Sequence, residues 1–259
     1  MSRSFFLSVY RAMPTSLQED AAIWRHMMLN ARMVKQRSRA RQCNICGYDG
    51  HFKTHGFPFR LDARCPQCQS LERHRLLKMW FDENKDQLTT KSVLHFAPEP
   101  AVTRFVQPLV SKYLTTDLDP SLGEVVLNIE AIDMPDNSFD LIICSHVLEH
   151  VDDGKALREM DRILRPAGTA LLMTPVIEGW AETYENSSIV SPQDRALHYG
   201  QRDHVRYFGS DIRTRITDAG FSLSEYTAVE PYVHTHALTR GEKVFIASKP
   251  SKSVRRKPR

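Results

Sequence analysis

The sequence predicts an α/β protein built on a doubly wound, mainly parallel sheet of seven strands, with a small four-cysteine module and a helix ahead of it. Three observations carry that expectation. From Lys91 onward, short apolar runs alternate with segments of helical periodicity. Residues 139–144 are an almost continuous apolar run, the signature of a strand buried on both faces. Four of the five cysteines fall in two closely spaced pairs before the first of those strands. With 259 residues, 41% hydrophobic and 25% charged, the chain has the composition of an ordinary folded protein and not of a disordered one.

Residues 17–41 read as a helix. Leu17, Ala21, Trp24, Met28, Ala31 and Val34 recur at helical spacing, with Arg25, Arg32, Lys35 and Arg37 around them. A basic amphipathic helix of this kind can lie on a membrane surface or pack on its own chain. Residues 43–70 are turn-rich and form the cysteine module; 71–80 look helical and lead to a linker around 82–90. Strands are expected at 92–96, 113–117, 125–129, 139–144, 169–173, 221–227 and 243–248. Helices are expected at 101–110, where Pro108 limits the end, and at 155–164, ended by Arg165-Pro166-Ala167-Gly168. A third runs over 212–219 and is closed by Gly220. Strands alternating with helices imply a sheet covered on both faces, a Rossmann-like architecture. The chain thus divides into a basic helical arm (1–42), the cysteine module (43–70), a connecting helix and linker (71–90), the α/β domain (91–248) and a basic tail (249–259).

Charge is distributed unevenly along this plan. Residues 1–42 and 249–259 each carry +6, which leaves −8 on the body between them and +4 overall. Basic ends are drawn to RNA or to anionic lipid, or are simply solvated. No run approaches about 18 apolar residues, so no membrane span is expected, and Phe5-Phe6-Leu7 is too short for a signal-peptide core. A cytoplasmic protein, with room for peripheral contact at the inner membrane face, is the expectation.

The cysteines are Cys43-x-x-Cys46 and Cys65-x-x-Cys68, with 18 residues between the pairs. Each pair puts two thiolates on one side of a tight turn, and two such knuckles supply the tetrahedral sulfur set that zinc prefers. Four thiolates leave no open position, so the zinc is expected to be structural. A pair of redox motifs would need a thioredoxin-like context that is absent. His51 and His55 are unnecessary as ligands, and Cys144, inside an apolar strand, reads as an inert buried thiol.

Ligands of an open parallel sheet bind at the carboxyl ends of its strands. Those ends carry Ala97-Pro98-Glu99, Asp117, Asn128-Ile129-Glu130 and Ser145-His146. Asp117 lies 22 residues beyond His95, where an acid can accept both hydroxyls of an adenosine ribose. Asn128 can pair with an adenine edge while Ile129 packs on its face.

Here the sequence resembles the class I S-adenosylmethionine-dependent methyltransferases of the type 11 group, over roughly residues 91–248. The resemblance rests on Met134-Pro135-Asp136-Asn137-Ser138-Phe139-Asp140, on His146-Val147-Leu148-Glu149-His150, and on the run from Arg158 to Gly168 that matches the family's E-x-x-R-x-L-K-P-G-G segment. The family's D-x-G-x-G loop is replaced by His95-Phe96-Ala97-Pro98-Glu99. A similar H-F-A-P-E loop occurs in a bacterial subgroup that also carries a cysteine ribbon and a G-Q-x-D-H-V-R segment, present here as Gly200-Gln201-Arg202-Asp203-His204-Val205-Arg206. The resemblance implies S-adenosylmethionine as cofactor, held by His95, Phe96, Ala97, Glu99, Asp117, Asn128, Ile129 and Ser145, with Glu99 supplying the carboxylate for its ammonium group. It implies a substrate-covering insertion over 178–208, with Asp203, His204 and Arg206 as acceptor contacts. Alternatively, Arg206 and Asp203 form an ion pair that ties the insertion down.

Methyl transfer from a sulfonium is a direct displacement governed by alignment, with a base needed only when the acceptor must lose a proton. His146 and His204 are the catalytic candidates. His146-x-x-Glu149-His150 also matches an inverted zinc-protease pattern, but it follows a buried strand and no third ligand is evident in the sequence. Three functions compete. The first is methylation of an O or N nucleophile on a small molecule or glycan. The second is RNA methylation using the ribbon and basic arms, an architecture similar to that of bacterial guanine-rRNA methyltransferases. The third is a non-catalytic ribbon adaptor.

Overall fold

The computed structural model describes residues 39–56 and 59–251, together with Met28. Of the expected arm helix, Met28, which is helical, and residues 39–41 are the described part. At its end the expectation fails. There β1 (Ala40–Gln42) is a strand, paired antiparallel with β2 (Asp49–His51). The cysteine module accordingly begins at residue 40. Its second hairpin is β3 (Lys53–His55) with β4 (Arg60–Arg64).

The helix α1 (Glu72–Asn84) runs on through the expected linker and ends in a single 3-10 turn, Lys85–Gln87. Packing carries it past Trp80. Phe81 is wholly buried, its ring 5.5 Å from that of Phe105, and the Asn84 amide donates back to the Trp80 carbonyl at 2.8 Å. The sheet then follows as β5 (Ser92–Phe96), α2 (Pro100–Val106), β6 (Lys112–Asp117), β7 (Val125–Val126), β8 (Phe139–Ser145), α3 (Asp153–Ile163) and β9 (Leu164–Met173). Beyond it come β10 (Tyr184–Glu185), α4 (Pro192–Tyr199), β11 (Arg206–Tyr207), α5 (Ile212–Asp218), β12 (Ser222–Tyr226), α6 (Tyr232–Thr235) and β13 (Val244–Ser248).

Seven strands form one sheet in the order β12-β13-β9-β8-β5-β6-β7. All neighbours are parallel except β13, which is antiparallel to both β9 and β12. The chain winds outward in opposite directions from β5, so the switch in strand order falls between β5 and β8. Alternation along each strand sorts the apolar residues to two faces. Leu94, Phe96, Ile142 and Cys144 join α3 and α5 in one core, while Val93, Leu141 and Ile143 join α1 and α2 in the other. Burial pushes the Cys144 thiol far up, which keeps it inert.

Three boundaries differ from expectation, each for a local reason. The third strand shortens to Val125–Val126, because Asn128 turns the chain by accepting from the Glu130 amide at 3.0 Å. β9 starts at Leu164, so Arg165-Pro166-Ala167-Gly168 is strand, its register shifted against β8. A Cβ at Gly168 would meet the Arg165 carbonyl oxygen at 2.8 Å, so only glycine fits that irregularity. Lys249, expected in the tail, is buried, and its ammonium binds the Asp161 and Leu164 carbonyls at the end of α3 at 2.5 and 2.8 Å. The rest of the basic tail beyond Ser251 lies outside the described residues.

Candidate active site

The ribbon is assembled from two matching knuckles. The Gly47 amide donates to the Cys43 carbonyl at 2.9 Å and the Gln69 amide to the Cys65 carbonyl at 3.0 Å, with Gly47 and Gln69 both at positive φ. The turns bring Cys43 and Cys68 Sγ to 3.6 Å and Cys46 and Cys65 Sγ to 3.7 Å. A tetrahedron with Zn–S bonds of about 2.3 Å has sulfur–sulfur edges of about 3.8 Å, so the four thiols fit a zinc ion. Arg75 of α1 fastens this module to the rest. Its wholly buried guanidinium donates to the carbonyls of His236 (Nε), Ser70 (Nη1), Ala63 and Ala237 (both Nη2) at 2.7–2.9 Å, and it stacks 4.8 Å from the Phe52 centroid. His236, uninformative in the sequence, also contacts the Gln42 carbonyl through Nδ1 at 2.8 Å.

The sheet's carboxyl edge begins at the loop after β5. Ala97 sits at φ +48 and donates its amide to the Thr116 carbonyl at 2.9 Å. The loop therefore takes the left-handed turn that a glycine would make, at a cost of about 1–2 kcal/mol for a residue with a Cβ. Side chains expected at the cofactor differ in what they can reach. His95 and Phe96 are buried in β5 and Ile129 is buried in the turn after β7, with His95 Nδ1 against the Tyr113 hydroxyl at 2.6 Å. Burial holds His95 down to about 4, so it is neutral in ordinary buffers. Ser145 is buried at the end of β8, and Asn128 is exposed. Asp117 accepts from the Asp119 amide through Oδ1 at 2.9 Å, which leaves Oδ2 for a ribose hydroxyl.

Glu99 is anchored to α1. Its carboxylate pairs with the Arg73 guanidinium and lies 2.7 Å from His74 Nε2. Burial alone would raise it, but the His74 contact and then Arg73 hold it to about 2. His74 is itself pushed down by burial, while the Glu99 carboxylate beside it acts in the opposite sense.

Beside this corner, a cleft of about 820 Å³ opens over the carboxyl ends of β8 and β9. The ribbon contributes His55 and Arg60, the sheet His146, Glu149 and Thr174, and the segment before β13 contributes Glu242 and Lys243. His146 sits at φ +55, and its Nδ1 meets Glu149 Oε1 at 3.1 Å; Thr174 Oγ1 donates to Glu149 Oε2 at 2.9 Å. Glu149 is buried, and against that burial the His146 contact keeps its carboxyl below the ordinary value. The Glu242 carboxyl is pushed up by burial, and its Oε2 has no partner.

The structure separates Asp203, His204 and Arg206. His204 lines the cleft, buried. Asp203 meets His150 Nδ1 at 3.3 Å. Arg206 corrects the expected ion pair with Asp203. It is buried and does not pair with Asp203. Instead Nε binds Glu185 at 2.8 Å, and Nη1 lies 3.3 Å from Asp153 and donates to the Leu148 and Val151 carbonyls. His150 lies in a 3-10 turn, Leu148–His150, and lines the cleft.

A methyltransferase domain model matches residues 103–172, from α2 through β9. The match lies within the seven-stranded sheet, so over that stretch the α/β domain is similar to methyltransferase domains. Among curated relatives, the chain is 37% identical over 116 residues to the ubiquinone/menaquinone biosynthesis C-methyltransferase UbiE of Escherichia coli O1:K1, which covers 39% of this chain and 46% of that one. The chain thus spans about half the length of the curated relatives it matches. Its fold is similar to that of the YcgJ protein from Bacillus subtilis, with TM-score 0.50 and 16% identity over 69% of this chain and 99% of that one. It is likewise similar to the CurJ carbon methyltransferase, with TM-score 0.51 and 14% identity over 69% and 54%.

Proposed function

We propose that the protein transfers a methyl group from S-adenosylmethionine to an O or N nucleophile of a small molecule or glycan, with His146 as general base. The observation that carries this reading is the His146–Glu149 pair at the end of β8, next to the switch point and facing the cleft. The backbone at Ala97 and the free oxygen of Asp117 would hold the cofactor's amino-acid end and ribose on the β5 and β6 side. Because Glu99 is matched by Arg73, it acts as the anchor of that loop, and an ammonium group meeting it would share it with Arg73. Bound there, S-adenosylmethionine supplies an electrophilic methyl on a sulfonium. With Nδ1 held by Glu149, His146 offers Nε2 to the acceptor's proton, and the buried carboxylate stabilises the imidazolium that forms. Glu242, its carboxyl pushed up by burial, faces the acceptor space from the cleft wall.

A small acceptor is favoured over RNA by the charge balance of the cleft. Arg60 is matched by Glu72, Arg73 by Glu99, Arg240 by Glu230 and Lys243 by Glu178, so no row of unmatched cations awaits a phosphate backbone. Calorimetry with S-adenosylmethionine and an S-adenosylhomocysteine release assay over an acceptor panel test the reading. Absence of cofactor binding to the zinc-loaded protein would return it to an adaptor role, and turnover of RNA that weakens steeply with salt would replace the small acceptor.

A further inference from the structure

The cleft contains a second cluster of metal-binding side chains, remote from the ribbon. Glu149, His150 and His204 each offer one ligand atom, and these atoms lie within 4.8 Å of one another. The chain converges on this point through backbone contacts. The Val205 amide donates to the Glu149 carbonyl at 2.9 Å, and Arg206 donates to the carbonyls of Leu148 and Val151 on either side. These bonds press the segment 203–206 onto the turn 148–150 and set the His204 ring 4.7 Å from that of His150, edge to face.

Two features of the trio need a partner they do not have. His204 is only 4% exposed, yet its Nδ1 is buried with no hydrogen-bond partner. A shielded ring nitrogen of this kind normally costs free energy unless something occupies it. Glu149 is 1% exposed, and its hydrogen bonds are to the His146 imidazole and the Thr174 hydroxyl, so its carboxylate is buried without an arginine or lysine partner. Asp203 adds a carboxylate outside the trio, 3.3 Å from His150 Nδ1, in the position of an outer contact that orients a ligating imidazole.

We infer that Glu149, His150 and His204 form a binding site for a divalent transition-metal ion, zinc being the best match to two imidazoles and a carboxylate. Three protein ligands leave at least one coordination position open, in contrast to the closed four-sulfur ribbon. All three residues line the cleft, so that position faces the space assigned to the acceptor. An oxygen or nitrogen of the acceptor would bind the ion there and become more acidic, easing loss of its proton to His146. This last role rests on the methyl-transfer reading; the ion site does not.

The test uses the full-length protein with its ribbon loaded with zinc, and no cofactor or acceptor. Titration with Co2+ is expected to give a second equivalent of bound metal whose visible spectrum lacks the thiolate charge-transfer band of a cysteine site. Calorimetry with Zn2+ should show the same second event. Since loss of an outer contact alone costs metal sites 10–100-fold, H204N and H150Q are each expected to weaken the second event by about 100-fold or more. Far-ultraviolet dichroism and a thermal unfolding midpoint matching the unsubstituted protein show that those variants are folded, and one retained zinc per chain shows that the ribbon is intact. No uptake beyond the ribbon equivalent up to millimolar ion, or a second event that survives both substitutions, overturns the site. Cofactor binding is read separately on the same samples, so failure of the methyl-transfer reading would leave this result standing.

Discussion

The ribbon and the carboxyl edge of the sheet reach a fixed geometry by opposite routes. The ribbon has almost no apolar core: its buried cluster is Cys43, Phe52, Cys65, Cys68 and Ala237. Its shape depends on four thiolates closing on an ion and on the Arg75 clamp. The sheet edge stands on two large apolar cores, and that foundation holds Ala97 and His146 in left-handed conformations that unsupported residues avoid. The two regions are joined through α1, which carries Arg75 toward the ribbon and Arg73 and His74 toward Glu99. A small metal module thus braces the loop on which cofactor binding is proposed to rest.

The largest effect should come from the metal. Zinc contributes roughly 10–16 kcal/mol to the folding of isolated finger peptides. Chelation or Cys65→Ser should therefore unfold the ribbon while far-ultraviolet dichroism of the sheet persists. If the bracing is real, cofactor affinity measured by calorimetry drops by about tenfold or more, one decade being about 1.4 kcal/mol; an unchanged affinity would separate the two regions. On the sheet side, His146→Ala should lower turnover by about 10²–10⁴ with little change in cofactor affinity. Equal losses in both would mean that His146 only shapes the pocket. Arg75→Ala, which strands several buried carbonyls at the joint, should cost about 3 kcal/mol in denaturant unfolding.

Acid sharpens the comparison further. The folded-state value of His95, about 4, lies below its free value of 6.5, so its contribution is complete above pH 6.5 and is lost as pH falls through 4. Glu99 follows at lower pH: its contribution is present above 4.5 and lost as pH falls through about 2. Glu99→Gln should flatten only that second limb of the stability curve. The smallest effect is expected from Ala97→Gly. Relief of the left-handed strain, offset by the greater freedom of glycine when unfolded, should leave a net gain of up to about 1 kcal/mol in thermal unfolding.

The sequence was most legible where its signals are local. The cysteine spacing identified all four ribbon ligands, because a knuckle is a property of four consecutive residues. The seven strands were readable from apolar alternation, while their ends moved by a few residues at Asn128 and Leu164, where turns and a register shift decide. The cleft was least legible. His204 lies 54 residues beyond His150, and what brings them together is Arg206 binding two backbone carbonyls, which leave no mark on a sequence. For the same reason the ion pair expected between Arg206 and Asp203 is replaced by pairs with Glu185 and Asp153, residues the sequence did not connect to it. Arg75, Arg73 and His74 were missed because a buried clamp looks, in one dimension, like the basic face of a helix.

The network around Arg206 has a further consequence for how molecules come and go. Glu185 is gripped by Arg206 and Arg215 together, Thr183 is tied to Asp211 at 2.7 Å, and the buried Tyr199 hydroxyl accepts from the Asn186 amide at 3.0 Å. The segment 178–208 is therefore riveted to α3 and α5 and is no swinging door. The cleft is lined as well by His55, Gly56 and Arg60 of the ribbon and by residues 239–243. One of its walls is thus a metal-built module, and that wall is where a change of clientele would be made.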